Sequence, residues 1–202
     1  MKEPISPRAI RSLMMVVAAT AVFAERAASD ADEQATAGIE YRVLATSKTS
    51  TMEKELNAMA EAGFRFRTVM GGETSFGGSE VVVVMAPGTK GRFSYKLLAT
   101  AKTSTMQKEL QDAADAGFEY KGQTVFKTAF GGDEVVVILE RDKSNTPPPF
   151  DYKLLATSKT STLQNELLDA GAAGYDLLAM TVSKTALGGS ELVAITRRAR
   201  TK

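Results

Sequence analysis

The sequence predicts an α+β protein of three tandem β-α-β-β repeats, each a three-stranded, mainly antiparallel sheet with one helix on one face. Three observations carry that expectation. One segment recurs without insertion at residues 41–86, 95–140 and 152–197. Within each copy, a helix-start signal and a glycine stop bracket an apolar stripe at helical spacing. Beyond each stop lie two further strand-like runs separated by paired glycines, the pattern of a hairpin. A period of roughly 55 residues calls for repeat logic before any other reading.

In chain order, the first element is a targeting segment at residues 1–24. Lys2, Arg8 and Arg11 form a basic n-region, Ser12–Phe23 an apolar h-region, and Val22-Phe23-Ala24 a small-residue cleavage site before Glu25. The apolar run is shorter than the roughly 20 residues a membrane span needs. No Cys follows it, so no lipid anchor is expected. Cleavage would take the net charge from +1 to −1 by removing Lys2, Glu3, Arg8 and Arg11. Residues 25–40 read as a flexible, Ala-rich leader.

Each copy then opens with a short strand beginning at Tyr41, Tyr95 or Tyr152. The helix start is read at Ser50, Ser104 and Ser161, with Glu53, Gln107 and Gln164 three residues on, as a capping box. The apolar stripes are Met52, Leu56, Met59; Met106, Leu110, Ala113; and Leu163, Leu167, Ala170. Gly63, Gly117 and Gly174 stand where a left-handed residue ends a helix. The second strand alternates in the first two copies, with Phe64 and Phe66 against Arg65 and Arg67, and Phe118 and Tyr120 against Glu119 and Lys121. In the third copy, Tyr175–Met180 is apolar on both faces, which predicts a strand buried on both sides against a sister repeat or a partner. Gly77-Gly78, Gly131-Gly132 and Gly188-Gly189 form the hairpin turns, and Gly71-Gly72 loosen the first hairpin. The last strand is the most apolar and is expected between the other two.

The linkers are Pro87–Ser94 and Arg141–Asp151, rich in turn formers. Arg197, Arg198, Arg200 and Lys202 read as a solvated basic tail, with contact to an anionic membrane or partner as the rarer alternative. One such unit buries too little surface to be comfortably stable alone. The three are therefore expected to pack face to face or edge to edge, in one compact assembly of approximate threefold or tandem symmetry.

Composition removes whole classes of chemistry. The chain has no His, Cys or Trp, so Ser-His-Asp and Cys-His mechanisms, Cys/His zinc sites and disulfides are excluded. Acid–base work would fall to Asp, Glu, Lys or Tyr. A net charge of +1 is too small for a nucleic-acid footprint. No cofactor motif is present.

The residues common to all copies are the place to look for a site. Lys48, Thr49 and Ser50, Lys102, Thr103 and Ser104, and Lys159, Thr160 and Ser161 stand at the helix N-termini. There a lysine, hydroxyls and free backbone N–H groups could hold an anion. The plainer reading is a capped helix start beside an exposed lysine paired with a repeated glutamate, from Glu55, Glu109 and Glu166 or from Glu80, Glu134 and Glu191. Phe76, Phe130 and Leu187, beside the glycine turns, are candidates for a partner contact or for folding back onto the core.

Leu167-Leu168-Asp169-Ala170-Gly171-Ala172-Ala173-Gly174-Tyr175-Asp176-Leu177 resembles a family of small bacterial β-α-β-β domains of unknown function. Their pattern is Leu-Asn-x-Leu-Gly-x-x-Gly-Trp-Glu-Leu, and the likeness implies a fold and no activity. Tyr175 replaces the family's Trp, and Ala60 and Ala114 replace its first glycine in the other copies. The strand order and the Thr/Ser-rich stretch before the helix are also similar to dodecins, which stack flavin on a Trp that this chain lacks. The function expected is that of an exported, non-enzymatic binding or scaffold protein whose partner is another protein or a second copy. The alternative is a binder of an anion or planar cofactor at the Lys-Thr-Ser sites.

Overall fold

The structure, a computed structural model, describes residues 38–74, 78–100, 102–127, 133–145, 149–184 and 189–200. The targeting segment, most of the leader, and Phe76, Phe130 and Leu187 with the greater part of their glycine turns lie outside the described residues. Residues 40–202 form one compact unit. Residues 1–39 are a separate one, of which only Gly38 and Ile39 are described, both exposed.

The first repeat runs β1 (Arg42–Thr46), α1 (Thr49–Glu61), β2 (Phe64–Thr74) and β3 (Gly78–Pro87). The second runs β4 (Phe93–Thr100), α2 (Thr103–Asp115), β5 (Glu119–Lys127) and β6 (Asp133–Asp142), the third β7 (Phe150–Thr157), α3 (Thr160–Ala172), β8 (Asp176–Lys184) and β9 (Ser190–Ala199). Each repeat makes a three-stranded antiparallel sheet with its last strand in the middle, in the orders β1-β3-β2, β4-β6-β5 and β7-β9-β8. Pairing runs into the linkers, since Phe93 faces Asp142 and Phe150 faces Ala199. All three second strands carry a bulge, at Phe66/Thr68, Tyr120/Gly122 and Leu177/Ala179.

The helices end as the glycines foretell, with φ of 100° at Gly63, 82° at Gly117 and 80° at Gly174. Their starts differ from the capping-box expectation. The N-caps are Lys48, Lys102 and Lys159, two residues before the serines, and no side chain caps them. Two causes combine. The hydroxyls of Thr46, Thr100 and Thr157 accept the lysine N–H groups at 3.1, 3.1 and 3.3 Å, which turns the chain into the helix early. Glu53 and Gln107 are meanwhile drawn outward to the following repeat.

The repeats stack in tandem, so that α1 and α2 each lie between their own sheet and the next. Val81, Val83 and Met85 of β3 join Met52 and Leu56 of α1 in one core, and Tyr95, Val136 and Ile138 of the second repeat close its other side. The alternate residues of β6, Val135, Val137 and Leu139, join Met106 and Leu110 of α2, with Tyr152 and Ile195 of the third repeat completing that core. Only a small cluster of Leu155, Leu163, Ala170 and Ala194 lies under α3. The middle strand β6 is consequently buried on both faces, whereas Val82 and Val84 of β3 are only half-buried.

Two further expectations are corrected. Gly71 does not loosen the first hairpin: it lets β2 approach β5, and a Cβ there would lie 2.3 Å from the Val125 carbonyl oxygen. The arginine-rich end is not a free tail. Arg197 and Arg198 belong to β9, and Arg197, Arg198 and Arg200 reach Glu119, Asp151 and Asp115.

Candidate functional site

The nine residues singled out at the helix starts do not converge. Lys48, Lys102, Lys159, Ser50, Ser104, Thr160 and Ser161 are exposed and Thr49 and Thr103 half-buried, each set at its own repeat. Among the described residues no ion pair reaches the three lysines, so the expected bridge to a repeated glutamate is not made. Thr49 and Ser50 line a cleft of about 450 Å³ with Glu53, Lys54, Lys96 and Glu109. Thr103 and Ser104 line its counterpart, about 410 Å³, with Gln107, Lys153, Glu166 and Asp169. Carboxylates share both clefts with the cations, and Glu166 leaves one buried oxygen without a hydrogen-bond partner. The carboxylates offset the lysines, so neither cleft presents a net positive wall to an anion. Among the described residues no group of three or more acidic side chains could hold a metal ion, and no helix is long and apolar enough to cross a membrane.

The chemistry of the chain is concentrated instead at the junctions between repeats. An outer sheet edge offers unpaired N–H and C=O groups, and here the preceding helix satisfies them with side chains. Asn57 of α1 accepts from Tyr95 N–H and donates to its carbonyl, both at 2.9 Å, while Glu53 accepts from Leu97 N–H at 2.8 Å. One junction later, Gln111 accepts from Tyr152 N–H at 3.1 Å, and Gln107 accepts from Leu154 N–H at 2.7 Å. Gln107 also donates to the Tyr152 carbonyl and Gln111 to that of Phe150.

The same tyrosines tie the second strands. The bulge leaves a backbone N–H free in β2 and β5; Phe66 N–H donates to the Tyr95 hydroxyl, and Tyr120 N–H to that of Tyr152, both at 2.9 Å. Tyr95 in turn donates to Glu140, a carboxylate only 3% exposed that Arg65 grips from β2 with a shortest contact of 2.8 Å. At the next junction the signs are exchanged, with Glu119 of β5 facing Arg197 of β9 at 3.5 Å. Burial pushes the Tyr120 phenol up to about 12 and raises those of Tyr95 and Tyr152, so all three remain neutral hydrogen-bonding groups. A third pair recurs, Lys143 with Glu61 at 2.8 Å and Arg200 with Asp115 at 3.0 Å.

Among the described residues of the compact unit, the exposed large hydrophobic side chains fall on its first and last repeats. Tyr41, Val43 and Met70 belong to the first, and Leu168, Leu177, Met180 and Val182 to the last. The β8 strand expected to be buried on both sides is therefore open on one, where Leu177, Met180 and Val182 are exposed. Sequence reasoning missed Glu53, Asn57, Gln107, Gln111, Glu140 and Arg197 as junction residues. The signal available was the opposed charge at corresponding positions, Arg65 and Glu119 in the second strands against Glu140 and Arg197 in the last. No family model, curated protein or solved structure matches the chain.

Proposed function

We propose that the chain is an exported, non-enzymatic scaffold or binding protein that works through protein contacts. The observation that carries this reading is the placement of its exposed apolar side chains. Among the described residues they lie on the two end repeats, at positions whose counterparts inside the array make the contacts between repeats. Export is supported by the basic and apolar runs of residues 1–24. The absence of His and Cys from the sequence removes the commonest nucleophile and acid–base machinery. Small-ligand binding at the Lys-Thr-Ser starts has less support, since those residues are dispersed and their clefts carry carboxylates.

Native mass spectrometry of the chain purified from its own host tests the reading. The expected result is a mass accounted for by polypeptide alone, unchanged when Lys48, Lys102 and Lys159 are all replaced by alanine. A small-molecule excess that disappears on denaturation, and that falls in the triple variant, would overturn it.

A further inference from the structure

We infer that the two end faces are complementary halves of one more junction of the same kind, so that copies of this chain associate head to tail. The last repeat of one copy then covers the first strand of the next. The inference rests on the protein-contact reading above and names the partner.

Tyr41 corresponds to Tyr95 and Tyr152, each 3% exposed at an internal junction, yet Tyr41 is 58% exposed. Val43 corresponds to Leu97 and Leu154, which are half-buried against the preceding repeat. On the opposite end Leu177 corresponds to Phe66 and Tyr120, whose backbone N–H groups each receive a tyrosine hydroxyl. Gln164 corresponds to Glu53 and Gln107, which take up the strand-edge N–H groups of Leu97 and Leu154. Gln164 is exposed. A second copy supplies what both ends lack: the Tyr41 hydroxyl for Leu177 N–H, and Val43 N–H for the Gln164 side chain.

At one position the substitutions at the ends are matched to each other, whereas Asp176, the counterpart of Arg65 and Glu119, would meet Ala86, the counterpart of Glu140 and Arg197. Where Glu61 pairs with Lys143 and Asp115 with Arg200, the last repeat has Ala172 and the first has Thr89. Both partners of the ion pair are lost together, so an end-to-end contact leaves no unpaired charge at that position. Leu168, 62% exposed, replaces the polar Asn57 and Gln111. Repeat arrays that remain single end in caps with polar outer faces. Here the open end has gained apolar side chains at positions that are polar inside the array. The contact is heterologous, so it closes a ring where the rotation per repeat allows and extends as a filament otherwise.

The test uses the full chain and two variants altered only at exposed side chains, Tyr41→Asp on one face and Leu177→Lys on the other, followed by sedimentation velocity over a concentration series. The wild type is expected to show masses of two or more chains. Each variant alone should be a single chain, with its dissociation constant raised at least about thirtyfold, as for loss of one interface hot spot. An equal mixture of the variants should recover pairs and nothing larger, because one intact head then meets one intact tail. A wild type that stays single, or assemblies that survive in both variants, would overturn the inference. If the single chain is recovered from its host with a different polypeptide, self-association fails and the protein-contact reading stands. If it carries only a small molecule, both fail. Protection of residues 25–37 from protease in a single chain would assign the first strand to the chain's own leader and likewise overturn the inference.

Discussion

Tyr95 joins three parts of the molecule through one hydroxyl, which accepts from Phe66 N–H and donates to Glu140 while Glu140 holds Arg65. Glu140→Ala would leave the buried phenol and Lys121 without the carboxylate, although the partly exposed Arg65 can return to water. A loss of about 2 kcal/mol in denaturant unfolding is expected, with Glu140→Gln costing less because an amide oxygen still accepts from the phenol. Gly71→Val is expected to destabilise by about 1–3 kcal/mol, since its Cβ would strike the Val125 backbone rather than a movable side chain. These roles were only partly readable from sequence. Tyr95 stood out as the start of a copy, but Glu140 has Ala86 and Arg197 as counterparts, and a search for residues common to all copies passes over it. In the sequence Gly71 departs from its counterparts and reads as slack, because the strand it approaches belongs to another repeat.

Helix and strand assignments followed from local signals that the structure keeps: the apolar stripe, the glycine stops and the alternation after them. The helix start did not, because Ser50-Glu53 has the form of a capping box while its glutamate is recruited by β4. A tertiary hydrogen bond took precedence over a local one. Asn57→Ala should therefore affect the neighbouring element more than its own helix, costing about 1–3 kcal/mol and speeding amide exchange at Tyr95. Ionisation should act at the strand ends. Arg92 and Ser144 hold the Asp142 carboxyl, and Arg200 and Arg198 the Asp151 carboxyl, below the ordinary range. Their contribution is present above about pH 4 and is lost as pH falls through the lowered values. The junction phenols act in the opposite direction. Their raised values mean stability that is complete below about pH 10 and lost as pH rises through the raised values, about 12 for Tyr120. Thermal unfolding across pH should thus decline at both extremes, with Tyr152→Phe removing part of the alkaline limb.

Across the whole molecule, stability resides in the junctions as much as in the repeats, because α1 and α2 are completed only by the sheets that follow them. Their charges also fix the order. Arg65 meets Glu140 and Glu119 meets Arg197, so exchanging the second and third repeats would set like charges against each other. Three copies of one unit were evident from the sequence, as was the central place of the last strand. The choice of tandem over threefold packing was not, since it depends on side chains of one copy meeting the backbone of another. The same stacking leaves Tyr41 and Val43 uncovered at one end and Leu168 and Leu177 at the other. The most direct measurement is photocross-linking in the host, with benzoylphenylalanine placed at position 41. The account predicts an adduct between two copies that maps to residues 164–182. A cross-link to another region of the chain, to a different protein, or to nothing would contradict it.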